Sequence, residues 1–139
     1  FDGDGVGDLS VFRPNDGTWH SWLSQNQTYL ALPFGSLGDI PIPNDFDGDG
    51  KTDYAIFRPS DDPNQADFHV LRSNDYSYYG VSWGITGDIP VAADYDGDGK
   101  TDFAVFRPIS NDWFLLQSTD GFRPFRFGHF GDIPIVKTF

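Results

Sequence analysis

The sequence predicts an all-β protein built from three copies of a unit that contains about four short strands. Three observations support this fold class. Residues 46–59 and 95–108 are identical at 11 of 14 positions, and residues 1–14 form a more diverged third copy. Each copy contains short apolar stretches rich in β-branched and aromatic residues. The 16 glycines and 10 prolines interrupt the chain too often for long helices.

The repeats divide the chain into units 1–45, 46–94 and 95–139. The units start at Phe1, Phe46 and Tyr95. The last unit ends in a segment similar to the start of a further unit, and the first unit lacks the corresponding strand. The second unit is longer because of the polar stretch 60–67, which predicts an extended loop tip that leaves the core untouched.

Each strand of the unit can be predicted in the third copy. The strands are expected at residues 103–106, 113–116, 122–127 and 133–136. About four strands per unit of roughly 45 residues is typical of a β-propeller blade. Since propellers close with about four to eight blades, three units predict an incomplete ring, an arc, or a propeller completed by another molecule. The chain opens without an initiator methionine and is expected to be processed or cut from something longer.

Two sets of residues recur at fixed positions in the units. An aromatic register predicts packing between sheets, with ligand stacking as the alternative. An arginine register predicts a structural ion pair or hydrogen bond within each unit, with the aspartate of the repeated Gly-Asp-Ile-Pro block as the candidate partner. The aromatic set is Trp19, Phe68 and Trp113, and the arginine set is Arg13, Arg58 and Arg107.

The charge of the chain restricts its partners. All 21 acidic residues are aspartates, and with 9 basic residues the net charge is −12. This balance argues against nucleic acid and anionic membranes as partners, and no apolar run approaches the roughly 20 residues that span a bilayer. The absence of cysteine excludes disulfides, thiolate zinc sites and cysteine nucleophiles. Cations are therefore the expected binding partners of this chain.

Two nine-residue loops concentrate this charge. Residues 45–53 and 94–102 carry carboxylates at positions 1, 3, 5 and 9 and glycines at positions 4 and 6. Unless a cation neutralises them, such carboxylates repel one another, and this number of hard oxygen ligands suits Ca²⁺ better than Mg²⁺. The backbone carbonyl of position 7 adds a ligand, with the lysine side chain directed to solvent. The predicted ligands are Asp45, Asp47, Asp49, Lys51, Asp53, Asp94, Asp96, Asp98, Lys100 and Asp102.

The loops have two other interpretations. An EF-hand requires a bidentate glutamate at position 12, which is Ile56 in one copy and Val105 in the other, and it requires flanking helices where the sequence predicts strands. A plain turn rich in aspartate and glycine is the remaining alternative. The intact recurrence of the nine-residue pattern favours Ca²⁺ over that alternative.

The loop resembles a known repeat. The pattern D-x-D-G-D-G-x-x-D, preceded by an aromatic-glycine pair and followed by Phe-Arg-Pro, is similar to the FG-GAP or VCBS repeat of bacterial surface proteins and of the integrin α-subunit propeller. The resemblance covers essentially the whole chain. It implies four-stranded propeller blades and Ca²⁺ in the loop that joins the first two strands. In the first unit it implies a partial site, without position 1, made by Asp2, Asp4, the Val6 carbonyl and Asp8.

These observations predict a non-enzymatic, secreted or cell-surface, Ca²⁺-binding propeller module with a structural or adhesive role. No catalytic constellation stands out. Expected partners besides Ca²⁺ are further copies of the chain, which could exchange strands to form an oligomer or filament, the rest of a longer propeller, glycans or surface proteins. The alternative is a carbohydrate-binding propeller. Its candidate stacking residues are Trp19, Trp22, Trp83 and Trp113.

Overall fold

In the computed structural model, residues 1–136 are described and fold into 11 β-strands, with no helix in this part of the chain. Accordingly, residues 1–136 contain no helical segment with the length and apolar character of a membrane span. The strands are β1 (Leu9–Arg13), β2 (Thr18–Leu23), β3 (Thr28–Pro33), β4 (Ile40–Pro41), β5 (Tyr54–Phe57), β6 (Phe68–Leu71), β7 (Tyr78–Val81), β8 (Ile89–Pro90), β9 (Phe103–Arg107), β10 (Asp112–Gln117) and β11 (Gly121–Arg126).

The strands form three antiparallel sheets, one for each sequence repeat. The first sheet has the order β1-β2-β3, the second β4-β5-β6-β7 and the third β8-β9-β10-β11. Consecutive strands of a sheet are neighbours throughout, as is usual for antiparallel strands joined by short connections. The all-β fold class and the repeated sheets of three to four strands are therefore confirmed.

One predicted strand is not formed. Residues 133–136 belong to no sheet. The matching strands β4 and β8 each pair with the strand that follows an acidic loop, with Ile40 opposite Phe57 and Ile89 opposite Phe106. Within residues 1–136 no such strand follows residue 133, and a strand without a neighbour has no ladder of hydrogen bonds. The last residues of the expected strand exchange, 137–139, lie outside the described part.

Each sheet has two apolar faces because side chains alternate along a strand. We call the face toward the preceding sheet the upstream face and the face toward the following sheet the downstream face. In β5, Tyr54 and Ile56 belong to the upstream face, whereas Ala55 and Phe57 belong to the downstream face, and all four are buried. The second sheet is therefore sandwiched between the other two.

Aromatic residues fill both contacts between sheets. Trp19 of the first sheet meets the ring of Tyr54 edge to face at a centroid distance of 5.6 Å. Phe68 of the second sheet meets Phe103 of the third in the same way at 5.2 Å. Trp19 and Phe68 are at most 2% exposed. The prediction that this aromatic register packs between sheets is confirmed for these two positions.

The predicted ion pairs form in two of the three units. Arg58 donates to both carboxylate oxygens of Asp39, at 2.6 and 2.7 Å, and Arg107 does the same with Asp88, at 2.8 and 2.9 Å. Each pair fastens the Gly-Asp-Ile-Pro turn to the strand beyond the acidic loop. Arg13 instead contacts the exposed Asp16, at 3.7 Å.

The inserted stretch 60–67 contributes to the core, which corrects the expectation that it is only a loop tip. Asp67 is 1% exposed. Its two carboxylate oxygens accept hydrogen bonds from the backbone N–H groups of Ser60 and Trp83, each at 2.7 Å. Because burial disfavours the charged form, the pKa of Asp67 is raised.

Candidate metal centres

The two intact acidic loops connect β4 to β5 and β8 to β9. Each loop is closed at its base by a backbone bridge, Asn44 with Asp53 and Ala93 with Asp102. The glycines at loop positions 4 and 6 have φ between 79° and 88°. Non-glycine residues rarely adopt this left-handed conformation, so the glycines allow the loop to curl around its own carboxylates.

The first aspartate of each loop holds the curl in place. The Oδ1 atom of Asp45 accepts from the N–H of Gly48 at 2.7 Å, and its Oδ2 atom accepts from Gly50 at 2.8 Å. Asp94 makes the equivalent bonds, at 2.6 and 3.0 Å. These are the bonds expected of an aspartate turn, and the Oδ1 atom of Asp45 also accepts from the N–H of Asp49 at 3.2 Å. The Oδ2 atom of Asp45 accepts only one of these bonds and has a further lone pair with which it can bind a cation.

Three carboxylates converge in the loop of the second unit. Asp45, Asp47 and Asp49 each place one oxygen within 4.8 Å of the other two. Two oxygens bound to the same Ca²⁺ at about 2.3–2.6 Å are at most ~5 Å apart. The spacing of these oxygens therefore fits a shared Ca²⁺. Asp53, the fourth predicted ligand, is not part of this group.

A different trio converges in the loop of the third unit. The oxygens of Asp94, Asp96 and Asp102 lie within 4.8 Å of one another. Asp98 is not in the group, and its Oδ2 instead accepts from the hydroxyls of Ser118 and Thr119, both at 2.6 Å. These side-chain hydrogen bonds and the N–H of Lys100 lower the pKa of Asp98 to about 2.

The ninth aspartate links each loop to a neighbouring hairpin turn. Asp53 accepts from the N–H groups of Phe46 and Ser73, at 3.0 and 2.9 Å. Asp102 accepts in the same way from Tyr95 and Ser118, at 2.9 and 2.7 Å. Both aspartates are at most 1% exposed. Burial raises the pKa of Asp53 and Asp102 despite these hydrogen bonds, because water no longer solvates the charge.

Mutual repulsion adds to this effect at Asp47. Burial is the largest cause of its raised pKa, and the charges of Asp49 and Asp45 raise it further. The guanidinium of Arg72, 3.4 Å away, opposes the shift and does not reverse it. A bound dication would favour the ionised form of all three carboxylates.

The first loop has a different arrangement. Within the described residues, Asp2, Asp4 and Asp8 do not form a trio of the kind seen in the other loops. Asp8 accepts from the nitrogen of Phe1 and from the N–H of Ser24, both at 2.7 Å, as Asp53 and Asp102 do from their equivalents. Asp4 accepts from the Ser24 hydroxyl and from the N–H of Val6. The buried anchor is thus retained without the cluster of carboxylates.

The loop lysines do not simply extend into solvent, which corrects the expectation for Lys51 and Lys100. The aliphatic part of Lys51 lies over Gly3, so that a Cβ on that glycine would be 2.7 Å from the lysine Cγ. Lys100 lies over Gly48 in the same way, at 2.8 Å. Each lysine therefore covers the loop of the preceding unit and connects neighbouring loops.

The sequence did not reveal that serines bind the ninth aspartates. Ser24, Ser73 and Ser118 each donate a backbone N–H to the buried aspartate of their own unit. The signal was present, because each serine follows the repeated aromatic residue by five positions in its unit. The hairpin turn is what brings this position back to the acidic loop.

The tryptophans proposed for glycan stacking differ in accessibility. Trp19 is 2% exposed between two sheets, so it has no free face for a sugar, and its selection was wrong. Trp22 is 48% exposed. Trp83 and Trp113 are partly buried and donate their Nε1 hydrogens to the carbonyls of Phe114 and Phe127, each at 3.0 Å. These bonds fix both rings against the sheets.

A comparison of the chain with models of known protein families, with characterised proteins and with solved structures finds no match. Its function must therefore be inferred from the acidic loops and from the packing of the sheets. The loops offer converging carboxylates, and the sheets offer repeated apolar faces.

Proposed function

We propose that this chain is a non-enzymatic Ca²⁺-binding module, built from propeller-type blades, that acts outside the cell as a structural or adhesive scaffold. The observation that carries the proposal is the convergence of three carboxylates in each of two loops. The propeller arrangement, the extracellular location and the adhesive role come from the resemblance to FG-GAP or VCBS repeats.

The donor set favours Ca²⁺ over other cations. All the candidate side chains are carboxylates, which suit hard cations rather than the softer transition metals. The loops also offer the carbonyls of Lys51 and Lys100, so the predicted number of oxygens exceeds what a partly hydrated Mg²⁺ requires. Asp53 and Asp98 would reach the ion after a small adjustment of the loop or through a water molecule.

In this proposal Ca²⁺ has a structural role. The loops join the first two strands of a sheet, and through Asp53 and Asp102 they are bonded to the hairpin turns at Ser73 and Ser118. An ion bound in the loop would offset the repulsion among carboxylates that otherwise opposes this arrangement. Since it would bind the folded chain and not the unfolded one, it would stabilise the fold.

Titration calorimetry and thermal unfolding test the Ca²⁺ sites. At a Ca²⁺ concentration of ~10 mM, about 100-fold above a Kd of ~10⁻⁴ M that is usual for extracellular modules, each site should add about 2.7 kcal/mol to the free energy of unfolding. We expect about two ions per chain and a higher Tm in Ca²⁺ than in chelator. Equal Tm values in the two conditions would overturn the proposal.

Paired variants separate ion binding from loss of charge. Asp45→Asn and Asp94→Asn should each remove one ion from the calorimetric stoichiometry and about half of the Ca²⁺-dependent rise in Tm. Asp75→Asn is the control, because Asp75 is an exposed aspartate in a hairpin turn whose carboxylate accepts from Ser77. If the control reduces Ca²⁺ binding as much as the loop variants, the sites lie elsewhere.

The adhesive role has its own test. The Ca²⁺-loaded protein should bind to intact cells or to immobilised surface proteins, and chelator should abolish the binding. If the protein keeps its Ca²⁺-dependent stability but shows no such binding, the structural role would stand and the adhesive role would be wrong. Glycan binding that is lost in Trp22→Ala would instead favour the carbohydrate-binding alternative.

A further inference from the structure

We propose that loop 45–53 and loop 94–102 bind Ca²⁺ as a coupled pair, in which an ion in one loop raises the affinity of the other. The coupling runs through Thr101 and Lys100, which belong to loop 94–102 and contact loop 45–53. The inference rests on the proposed function, because it concerns the same two candidate sites. It adds how the occupancy of each site depends on that of the other.

A backbone hydrogen bond joins the two loops. The N–H of Thr101 donates to the carbonyl of Asp45 at 2.8 Å. Thr101 is 9% exposed, and a hydrogen bond that is shielded from water is electrostatically stronger than an exposed one. Since Asp45 precedes β5 and Thr101 precedes β9, this bond links the candidate site of the second sheet directly to that of the third.

On the side of loop 45–53, the bond acts on a candidate ligand. The carboxylate of Asp45 holds the curl of the loop and belongs to the converging trio. The carbonyl of Asn44, one residue earlier, accepts from the N–H of Asp53 at 2.8 Å and closes the base of the loop. Two successive carbonyls therefore serve different purposes, because the first closes its own loop and the second binds the neighbouring one.

On the side of loop 94–102, the bond lies between two candidate ligands. The carbonyl of Lys100 is a predicted ligand, and the carboxylate of Asp102 belongs to the converging trio of that loop. The N–H of Asp102 donates to the carbonyl of Ala93 at 2.9 Å and closes the base of the loop. An ion held by Lys100 and Asp102 would fix the donor Thr101, just as an ion held by Asp45 would fix the acceptor.

The side chain of Lys100 makes a second contact between the loops. A Cβ on Gly48 would be 2.8 Å from the Cγ atom of Lys100 and 3.5 Å from the carbonyl oxygen of Gly99. Both the lysine stem and the backbone of loop 94–102 therefore lie close to Gly48. This glycine is at position 4 of loop 45–53, where its φ of 79° allows the curl. The contact thus covers the curl at the point where its carboxylates converge.

Coupling requires that each loop has a second state, and repulsion among the carboxylates supplies it. Three carboxylates within 4.8 Å of one another repel when no cation is bound, which favours local opening of the loop. If loop 94–102 opens, Thr101 and Lys100 withdraw from loop 45–53, which then loses two of the contacts that hold it closed. An ion that keeps one loop closed therefore increases the closed fraction of the other and raises its affinity.

Direct interaction between the charges would have the opposite effect. Each loop contains four aspartates and one lysine, a net charge of −3, which a bound Ca²⁺ would reduce to −1. A filled loop therefore attracts a second cation less than an empty loop does. The sign of the measured coupling separates the two effects, because only the contacts make the second ion bind more tightly.

Titration calorimetry with Ca²⁺ measures the coupling. The unchanged chain gives the product of two association constants, and Asp94→Asn and Asp45→Asn, with one site left in each, give the constants of the separate sites. The first product divided by the product of the two single-site constants is the coupling factor. We expect a factor of about 5 or more, which is the lower end of typical couplings. A factor of 1 or less would overturn the inference.

Lysine variants test the contact itself. Lys100→Ala removes the stem and keeps the carbonyl, so it should lower the coupling factor about twofold or more. Lys100→Met keeps most of the aliphatic stem without the charge and should retain the coupling. Lys51→Ala is the matched comparison, because the stem of Lys51 covers Gly3 in a loop where no trio converges among the described residues. The coupling factor should persist in that variant, and an equal fall in Lys51→Ala and Lys100→Ala would contradict the assignment.

Amide hydrogen exchange gives a readout that does not depend on affinity. In Asp94→Asn only loop 45–53 should bind Ca²⁺, yet the ion should slow exchange of the Thr101 N–H, in the other loop, about fivefold or more. The N–H of Asn111 is the control, because it donates to the carbonyl of Arg107 in a turn at the opposite end of β9. Unchanged exchange at Thr101, or equal slowing at Thr101 and Asn111, would overturn the inference.

The proposed function and the coupling can fail separately. If the unchanged chain binds no Ca²⁺, the proposed function is wrong and the coupling is wrong with it. If the chain binds two ions with a coupling factor of 1, the proposed function stands and the coupling alone is wrong.

Discussion

The guanidinium of Arg58 donates two hydrogen bonds to the carboxylate of Asp39, whose side chain is 1% exposed while that of Arg58 is 46% exposed. The pair connects residues that lie 19 positions apart, across the whole acidic loop. Hydrogen bonding to Asp39 raises the pKa of Arg58. The geometry therefore fixes the start of the sheet relative to the strand that follows the loop.

Removing Arg58 should destabilise the fold. Arg58→Ala leaves the buried Asp39 carboxylate with one hydrogen bond, from Ser36. A buried charge that loses its partner costs several kcal/mol, but the partial exposure of Arg58 lets water enter, so we expect a loss of about 1–3 kcal/mol in the free energy of unfolding. Denaturant unfolding measures it. Arg123→Ala, which breaks an exposed 3.4 Å pair with Asp120, should cost less than about 0.5 kcal/mol. Equal effects would contradict the assigned role.

Asp67 should matter more than its place in the inserted stretch suggests. Asp67→Ala leaves the N–H groups of Ser60 and Trp83 without their acceptor. We expect a loss of about 1–3 kcal/mol in the free energy of unfolding, measured by denaturant unfolding. The matched change Asp61→Ala removes one exposed bond, to Thr86, and should cost about 0.5 kcal/mol or less. A comparable loss in the two variants would show that the buried carboxylate is not an anchor.

The packing of Lys100 over the preceding loop predicts a difference between two glycines. Gly48 and Gly97 both have φ of 79°. Alanine at either position incurs the same backbone strain of about 1–2 kcal/mol, but only at Gly48 does the new Cβ meet the lysine stem. Measured by denaturant unfolding, Gly48→Ala should lose up to ~1 kcal/mol more than Gly97→Ala. Replacing Lys100 by alanine as well should remove the difference.

Much of the fold could be predicted from the sequence, because the same pattern of apolar stretches recurs in each of the three units. The repeats located the sheets, and the apolar stretch 103–106 located a strand with two covered faces. Residues 133–136 carry the same pattern, but a strand needs a neighbour, and pairing is a property of the whole structure rather than of the segment. Asp67 was misjudged for a related reason: its hydrogen bonds come from Ser60 and Trp83, which folding brings together.

The candidate sites were predictable to a similar degree. The spacing of aspartates identified the loops, yet it could not show that Asp98 turns to Ser118 while Asp102 joins the converging trio. Those choices depend on a hairpin turn from another part of the unit. The sequence also did not predict that the side chain of Lys51 packs on Gly3, because Gly3 belongs to the preceding unit.

The raised pKa values of Asp53 and Asp102 predict how stability depends on pH. Burial raises both pKa values above the ordinary value of 3.8. In chelator the folded chain therefore holds more protons than the unfolded chain between pH 3.8 and the raised values, and the free energy of unfolding contributed by these groups falls as pH rises through that window. The pKa of Asp98 is lowered, so its contribution to the free energy of unfolding rises with pH instead of falling. That rise occurs at lower pH, between about 2 and 3.8.

Calcium should reverse this trend, because it binds the ionised carboxylates and competes with protons. Thermal unfolding from about pH 3.5 to about pH 7 should show a Ca²⁺-dependent rise in Tm that is small at the acidic end and grows through the window of Asp53 and Asp102. In chelator the double variant Asp53→Asn with Asp102→Asn should show a smaller fall in Tm over this range than the unchanged chain. Part of the fall should remain, because Asp47 and Asp67 also have raised pKa values. Asp75→Asn should show the full fall. A Ca²⁺ effect on Tm that is the same at both ends of the pH range would mean that the ion does not bind these carboxylates.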